Sequence, residues 1–324
     1  MGTDTKNVME NNTTSVNEQV LSILLMDRST KKNIVWATDD YISLGVGYSP
    51  ESEITIDKIS GFNSFIITPR VLKERQRQSN RTRNKAEVFT PSWICNEQNN
   101  LVDEQWFRRT NIFNILGNKK WKTNKEKITF PNKLGKTWQD YVRAKRMEIT
   151  CGEAPYLVSR YDTVTGNTIQ ICDRIGLLDR KLRIINENVT DESDWFLWAK
   201  KAYQSIYGYE YQGDNLLIAR KNLLMTFIDN VLYKFNRQPT NSELKSIAYI
   251  ISWNIWQMDG LTFTPPCLVV DEQYEQLSLF EKSEEIEPEP CYCKIRDWRA
   301  KETVLFASLV KKEEYTNHDR KKRY

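Results

Sequence analysis

Apolar positions recur at helical spacing in the second half of this chain and in short, interrupted runs in the first. Between Asp191 and Tyr207, the residues Trp195, Phe196, Trp198, Ala199, Ala202 and Ile206 share one face and predict a helix. A longer helix is predicted over about 214–236, where Leu216, Leu217, Ala219, Leu223, Leu224, Phe227, Val231, Leu232 and Phe235 keep the period. Asp214 stands near its start, where an acidic residue suits the free N–H groups. Thr240 and Glu243 have capping-box spacing and open a further helix. The apolar run Ile247–Ile255 reads either as that helix's buried end or as a strand. Earlier, Val20–Met26, Asn33–Ala37, Ile54–Ile59 and Phe65–Ile67 are apolar pieces between turn residues, which predicts a small α+β segment. Arg174–Ile185 reads as a mixed connection and Val304–Val310 as a late strand. No internal repeat is visible.

The stretch Glu148–Leu157 carries more information than any periodic segment. It reads as an acidic strand end, a tight turn of small residues at Cys151, Gly152 and Ala154, then Tyr156 and Leu157, which could open a helix. Doubly wound sheets build ligand pockets this way, because the turn lets backbone approach a ligand at the carboxyl ends of the strands.

Composition narrows the classes. The chain has 324 residues, 40% hydrophobic and 28% charged, enough for a sizeable core. The polar first seventeen residues predict a disordered tail and no signal peptide, and no apolar run approaches the ~18 residues of a membrane span. A cytoplasmic protein is the expectation. Six Cys in so long a chain suggest buried free thiols rather than a disulfide scaffold, and no metal site is expected. The single His, His318, lies in a polar segment near the end, which argues against a His-dependent catalytic centre. Residues 281–290 are acidic with two Pro and predict a loop; Arg320–Arg323 is a basic tail. Trp93, Trp106, Trp121 and Trp138 are expected to pack a core.

The net charge of +4 is mild, but Arg70–Lys85 holds seven basic residues and one acidic, Glu74. Arg70, Lys73, Arg75, Arg77, Arg81, Arg83 and Lys85 are therefore candidates for phosphate contact with DNA, against the alternative of a solvated linker or helix face.

Four segments fall in one order: Lys85–Ile94 with its Phe-Thr-Pro, the turn at Glu148–Leu157, Ile206–Leu223 with Glu210 and an Ala-Arg-Lys-Asn-Leu helix, and Ile251–Leu261 ending Asp259-Gly260-Leu261. In that order they resemble the adenine-specific (N6) DNA methyltransferases of restriction–modification systems, of the restriction endonuclease subunit M type, over about 86–261. The resemblance implies an α/β fold: a Rossmann-like methyltransferase sheet with helices on both faces, preceded by the small α+β accessory segment. The organisation would be a tail over 1–17, an accessory segment with basic linker over 18–85, a methyltransferase-like domain over 86–310 and a basic tail over 311–324. It implies S-adenosylmethionine as cofactor, with Glu210 on the ribose, Asp259 on the adenine amino group, Glu148 with Cys151 and Gly152 against the methionine part, and Phe89, Thr90 and Pro91 closing over it. DNA and a restriction or specificity subunit would be the partners.

The sequence departs from that pattern at two places. Ala154 replaces a turn Gly and Pro155 follows it. The only Pro-Pro follows Thr264, so Thr264, Pro265 and Pro266 stand in for an Asn-Pro-Pro-Tyr motif without its amide or its ring. A lost catalytic motif is the reading. The alternative is a non-catalytic nucleic-acid-binding or scaffold subunit of a defence system, and a third reading is an RNA methyltransferase.

Overall fold

The computed structural model describes residues 17–85, 87–131, 135–267 and 291–310. Its helices and strands, in chain order, are α1 (Glu18–Leu25), α2 (Ile56–Ile59), α3 (Arg75–Lys85), α4 (Ser92–Phe107), β1 (Asn114–Gly117), β2 (Lys120–Thr123), α5 (Trp138–Arg143), β3 (Arg146–Glu148), α6 (Leu177–Asn188) and α7 (Glu192–Gln204). Then follow β4 (Ile206–Glu210), α8 (Gly213–Phe235), α9 (Asn241–Asn254), β5 (Ile255–Gln257), β6 (Lys294–Asp297) and β7 (Glu302–Leu305).

The helices form where local chemistry satisfies their ends. In α9 the Thr240 hydroxyl accepts from Glu243 N–H while the Glu243 carboxylate accepts from Thr240 N–H, the reciprocal pair read from the sequence. The helix α7 is capped by Asp191, whose carboxylate accepts from Asp194 N–H. At the far end of α8, Asn236 takes a left-handed backbone and closes the last turn on Leu232 C=O. Most of α8 is buried, as suits the central helix of the core. Its Arg220 is fully buried and donates to the carbonyls of Ile255, Leu24 and Met26, which ties the end of α1 to β5. One apolar cluster runs from Val20 on α1 to Ile255 on β5, so the N-terminal segment shares its core with the rest. A smaller cluster of Tyr207, Trp256, Met258, Cys293, Ile295 and Phe306 seats the β6–β7 hairpin on the sheet.

Helix exceeds strand, 46% to 12%, and three small open sheets are present among the described residues. Two are antiparallel hairpins, β1–β2 and β6–β7; the third is the parallel trio β3–β4–β5, with Glu148 opposite Gly208 and Glu210 opposite Gln257. This corrects the expected Rossmann-like methyltransferase sheet. A doubly wound sheet reverses its strand order, and ligands bind where the order reverses. Here the strands lie in sequence order with three to five residues each, so no such switch point exists among the described residues.

Other expectations change in detail. Tyr156 and Leu157 open no helix; the next α-helix is α6, which overlaps the stretch read as a mixed connection. Ile247–Ile255 is both things proposed for it, since α9 ends at Asn254 and β5 starts at Ile255. The late strand expected over Val304–Val310 starts earlier and is shorter, β7 being Glu302–Leu305, and residues 306–310 are helical. Most of the basic run is a helix, α3. Trp106 and Trp138 pack against the main core. Cys95, Cys151 and Cys293 are buried, whereas Cys172 and Cys291 are exposed. No described helix is long and apolar enough to cross a membrane. Both tails, the loop 281–290 and His318 lie outside the described residues.

Candidate functional site

A cavity of about 930 Å³ opens at the carboxyl ends of β3 and β4. Glu148 ends β3 and Glu210 ends β4, and because the strands are parallel and adjacent both carboxylates reach the same hollow. Both are held by backbone amides. Glu148 accepts from Tyr156 N–H at 3.3 Å and Leu157 N–H at 3.2 Å; Glu210 accepts from Gly152 N–H at 2.8 Å and Gln212 N–H at 3.2 Å. The turn between them is bent hard. Thr150, Gly152 and Ala154 all have positive φ, at 45°, 53° and 63°. Ala154, which stands where a Gly would be unstrained, therefore carries a cost of about 1 kcal/mol. Phe89 lies against this turn: a Cβ added at Gly152 would sit 3.4 Å from its ring.

The charge of the cavity is acidic. Among its described lining residues Asp39, Glu87, Glu148 and Glu210 are acidic and Lys85 is the cation; Lys85 pairs with Asp39, and Glu87 with Arg81 behind the cavity. Burial pushes the Glu148 carboxyl well up from its ordinary range, against the two amide hydrogen bonds that favour its charge. Burial also raises Glu210, opposed by the Gly152 and Gln212 amides and reinforced by the charges of Asp214 and Glu87. Asn215 adds a neutral acceptor. Its amide N–H₂ donates to Glu87, but its Oδ1 is buried with no hydrogen-bond partner among the described residues.

Behind the cavity lies a buried ionic network at the start of α8. The Asp214 carboxylate accepts from Lys73 Nζ at 3.0 Å, from Arg81 at 3.0 and 3.1 Å and from the Tyr41 hydroxyl at 2.7 Å. Arg81, fully buried, also pairs with Glu87 and Asp40. Burial alone would raise the Asp214 carboxyl; Lys73 and Arg81 override it and hold it far below the carboxylate range.

The structure therefore divides the expected site residues. Phe89, Thr90, Glu148, Cys151, Gly152 and Glu210 line one cavity. Pro91 does not; it caps α4 through its carbonyl. Asp259 does not line it either. It sits past β5 in a tight loop, accepting from Leu261 N–H at 2.8 Å. Thr264 closes that loop by accepting from Asp259 N–H, and Pro265 and Pro266 are buried beside it; none of the three lines the cavity. The basic stretch turns inward. Lys73 and Arg81 are buried in the Asp214 network, Lys85 pairs with Asp39 and Asp40, and Arg70 lies over the Phe89 ring. Arg75 and Arg83 are exposed, and the side chain of Arg77 is outside the described residues. Asn215, Glu87 and Tyr211 line the cavity although the sequence gives no sign of it; only the placement of Asn215 one residue after Asp214, in the first turn of α8, hints at Asn215.

Comparison with protein-family models, with curated proteins and with solved structures finds no match. Together with the helix-dominated fold this overturns the resemblance to the adenine-specific DNA methyltransferases. The restriction–modification role and the S-adenosylmethionine site go with it. Among the described residues no three His, Cys, Asp or Glu side chains are placed to hold a metal ion.

Proposed function

We propose that the acidic cavity binds a small molecule rich in hydrogen-bond donors, a cationic amine or amino-polyol, and that ligand binding is this protein's activity. The observation that carries the reading is the meeting of Glu148 and Glu210 at adjacent strand ends in one cavity. Each carboxylate spends part of its accepting capacity on backbone amides and keeps lone pairs for a ligand. Asn215 Oδ1, buried without a partner, supplies a third acceptor, and such a group is costly to leave unmet. Phe89, Tyr156 and Tyr211 provide the apolar walls expected of a small-molecule site. A cation also lowers the energy of ionising two buried acids.

Calorimetric titration with glucosamine, which carries an ammonium and neighbouring hydroxyls, tests this. Saturable binding is expected, weakened about tenfold by Glu210→Gln, the value of one charge-assisted hydrogen bond. Binding should tighten as pH rises through the raised carboxyl range of Glu148 and Glu210, because only the ionised acids attract the ammonium. No binding to a folded wild-type protein, or binding indifferent to Glu210→Gln and to Asn215→Leu, overturns the reading.

A further inference from the structure

A second hollow, of about 1030 Å³, lies beside the β1–β2 hairpin and has the opposite charge. Lys119, Lys120, Lys122 and Lys125 line it, against Glu126 and Asp173. The alternation of β2 sets this up. Trp121 and Thr123 point inward, where Trp121 Nε1 donates to Asp173 C=O at 2.9 Å and the Thr123 hydroxyl donates to the Asp173 carboxylate at 2.6 Å. Lys120 and Lys122 stand on the other face, and both are exposed. Asp173 is thus engaged in holding the hairpin and offers little neutralisation. None of the four lysines forms an ion pair with a described residue. The cations of the 70–85 stretch differ in this respect, since Lys73, Arg81 and Lys85 are all neutralised within the fold.

Asn118 and Lys119 have φ of 35° and 60°, the left-handed pair that a two-residue hairpin loop requires. Glycine is the favoured residue at the second of these positions, yet a lysine occupies it, its ammonium 5.8 Å from the centroid of the Trp93 ring.

The geometry points to a binding site for a compact polyphosphorylated ligand at this hollow. Lysines of the turn, the strand and the following loop all border this one hollow, whose extent suits a small polyanion. Lysine is a point charge that serves phosphate groups without demanding a fixed orientation. Gln170, which also lines the hollow and is exposed, can donate to the same oxygens.

Isothermal titration of the full chain with inorganic tripolyphosphate tests the inference. Saturable binding is expected that weakens at higher salt, as contacts between exposed charges do. The combined Lys119→Gln, Lys120→Gln, Lys122→Gln and Lys125→Gln variant should lose at least tenfold in affinity, whereas Arg75→Gln with Arg83→Gln should change it less than twofold. Lys119→Gly should raise the unfolding midpoint and still weaken binding, a split that a purely structural role for Lys119 does not produce. Equal affinity in the fourfold variant, no saturable binding by the wild type, or binding of a single-stranded oligonucleotide with none of tripolyphosphate overturns it.

Discussion

Two hollows among the described residues, one at the strand ends and one beside the β1–β2 hairpin, differ in charge and in construction. At the strand ends the charges are buried, held by backbone amides and backed by the Asp214 network. Beside the β1–β2 hairpin they are exposed lysines with no described ionic partner. A buried charge must be paired or hydrogen-bonded, because desolvation costs several kcal/mol per ion (order of magnitude). An exposed one needs no partner and contributes little to stability. The same residue types therefore serve the fold in one place and stay available to a ligand in the other.

The buried network is most sensitive at Asp214. Replacing it with Ala leaves Lys73 and Arg81 as buried cations short of a partner, and chemical denaturation should show a loss of about 3–5 kcal/mol. A loss under 1 kcal/mol would mean that water reaches the network. Acid should act on the same contact. The folded carboxyl of Asp214 lies below its ordinary value of 3.8, so its contribution is present above that pH and is lost as pH falls below it. Acid unfolding curves should accordingly flatten in Asp214→Asn if that variant folds. Glu148 and Glu210 have the opposite sign. Their raised carboxyls favour the fold below the ordinary value of 4.5 and oppose it as pH climbs through the folded range. Glu148→Gln should therefore gain stability relative to wild type as pH rises from 4 to 8, and a gap independent of pH would contradict the burial argument. Next in size is the cap of α9: Thr240→Ala should cost about 1 kcal/mol, since it leaves the Glu243 N–H unmet. Smallest of all, Lys122→Gln should move stability by less than about 0.5 kcal/mol. A larger change would place that lysine in the fold rather than at a free surface.

Much of the helical frame was legible in the residues. The period of Leu216–Phe235 and the Thr240–Glu243 cap each describe a local event, and local chemistry settles it. Glu148 and Glu210 were legible as strand-end acids because each precedes a turn. What the sequence does not state is how many strands pair. β3 and β5 have three residues each, too few to show a period, and four short segments in a familiar order say nothing about strand number or order. The misplacement of Asp259 follows from this: β5 ends two residues before it, and the chain turns on that side chain instead of delivering it to the cavity. The α6 helix was hidden by its own charges, since Arg180 and Lys181 are buried in it while reading as solvent-facing. The basic run misled for the same reason. Net charge along a stretch cannot show which way it points; Arg81 and Lys85, four apart on one helical face, both turn toward acids that lie far away in the chain or across a loop.

The proposed binding site depends on Glu148 and Glu210 accepting from a ligand donor in one shared cavity. The most direct measurement is carboxyl carbon NMR of protein labelled at Glu, titrated with pH in the absence and presence of glucosamine. The account predicts two glutamates titrating above the ordinary carboxyl range, both shifted downward when glucosamine is added and both signals missing in the respective Gln variants. Two glutamates that titrate normally, or raised values that glucosamine leaves where they were, would contradict it.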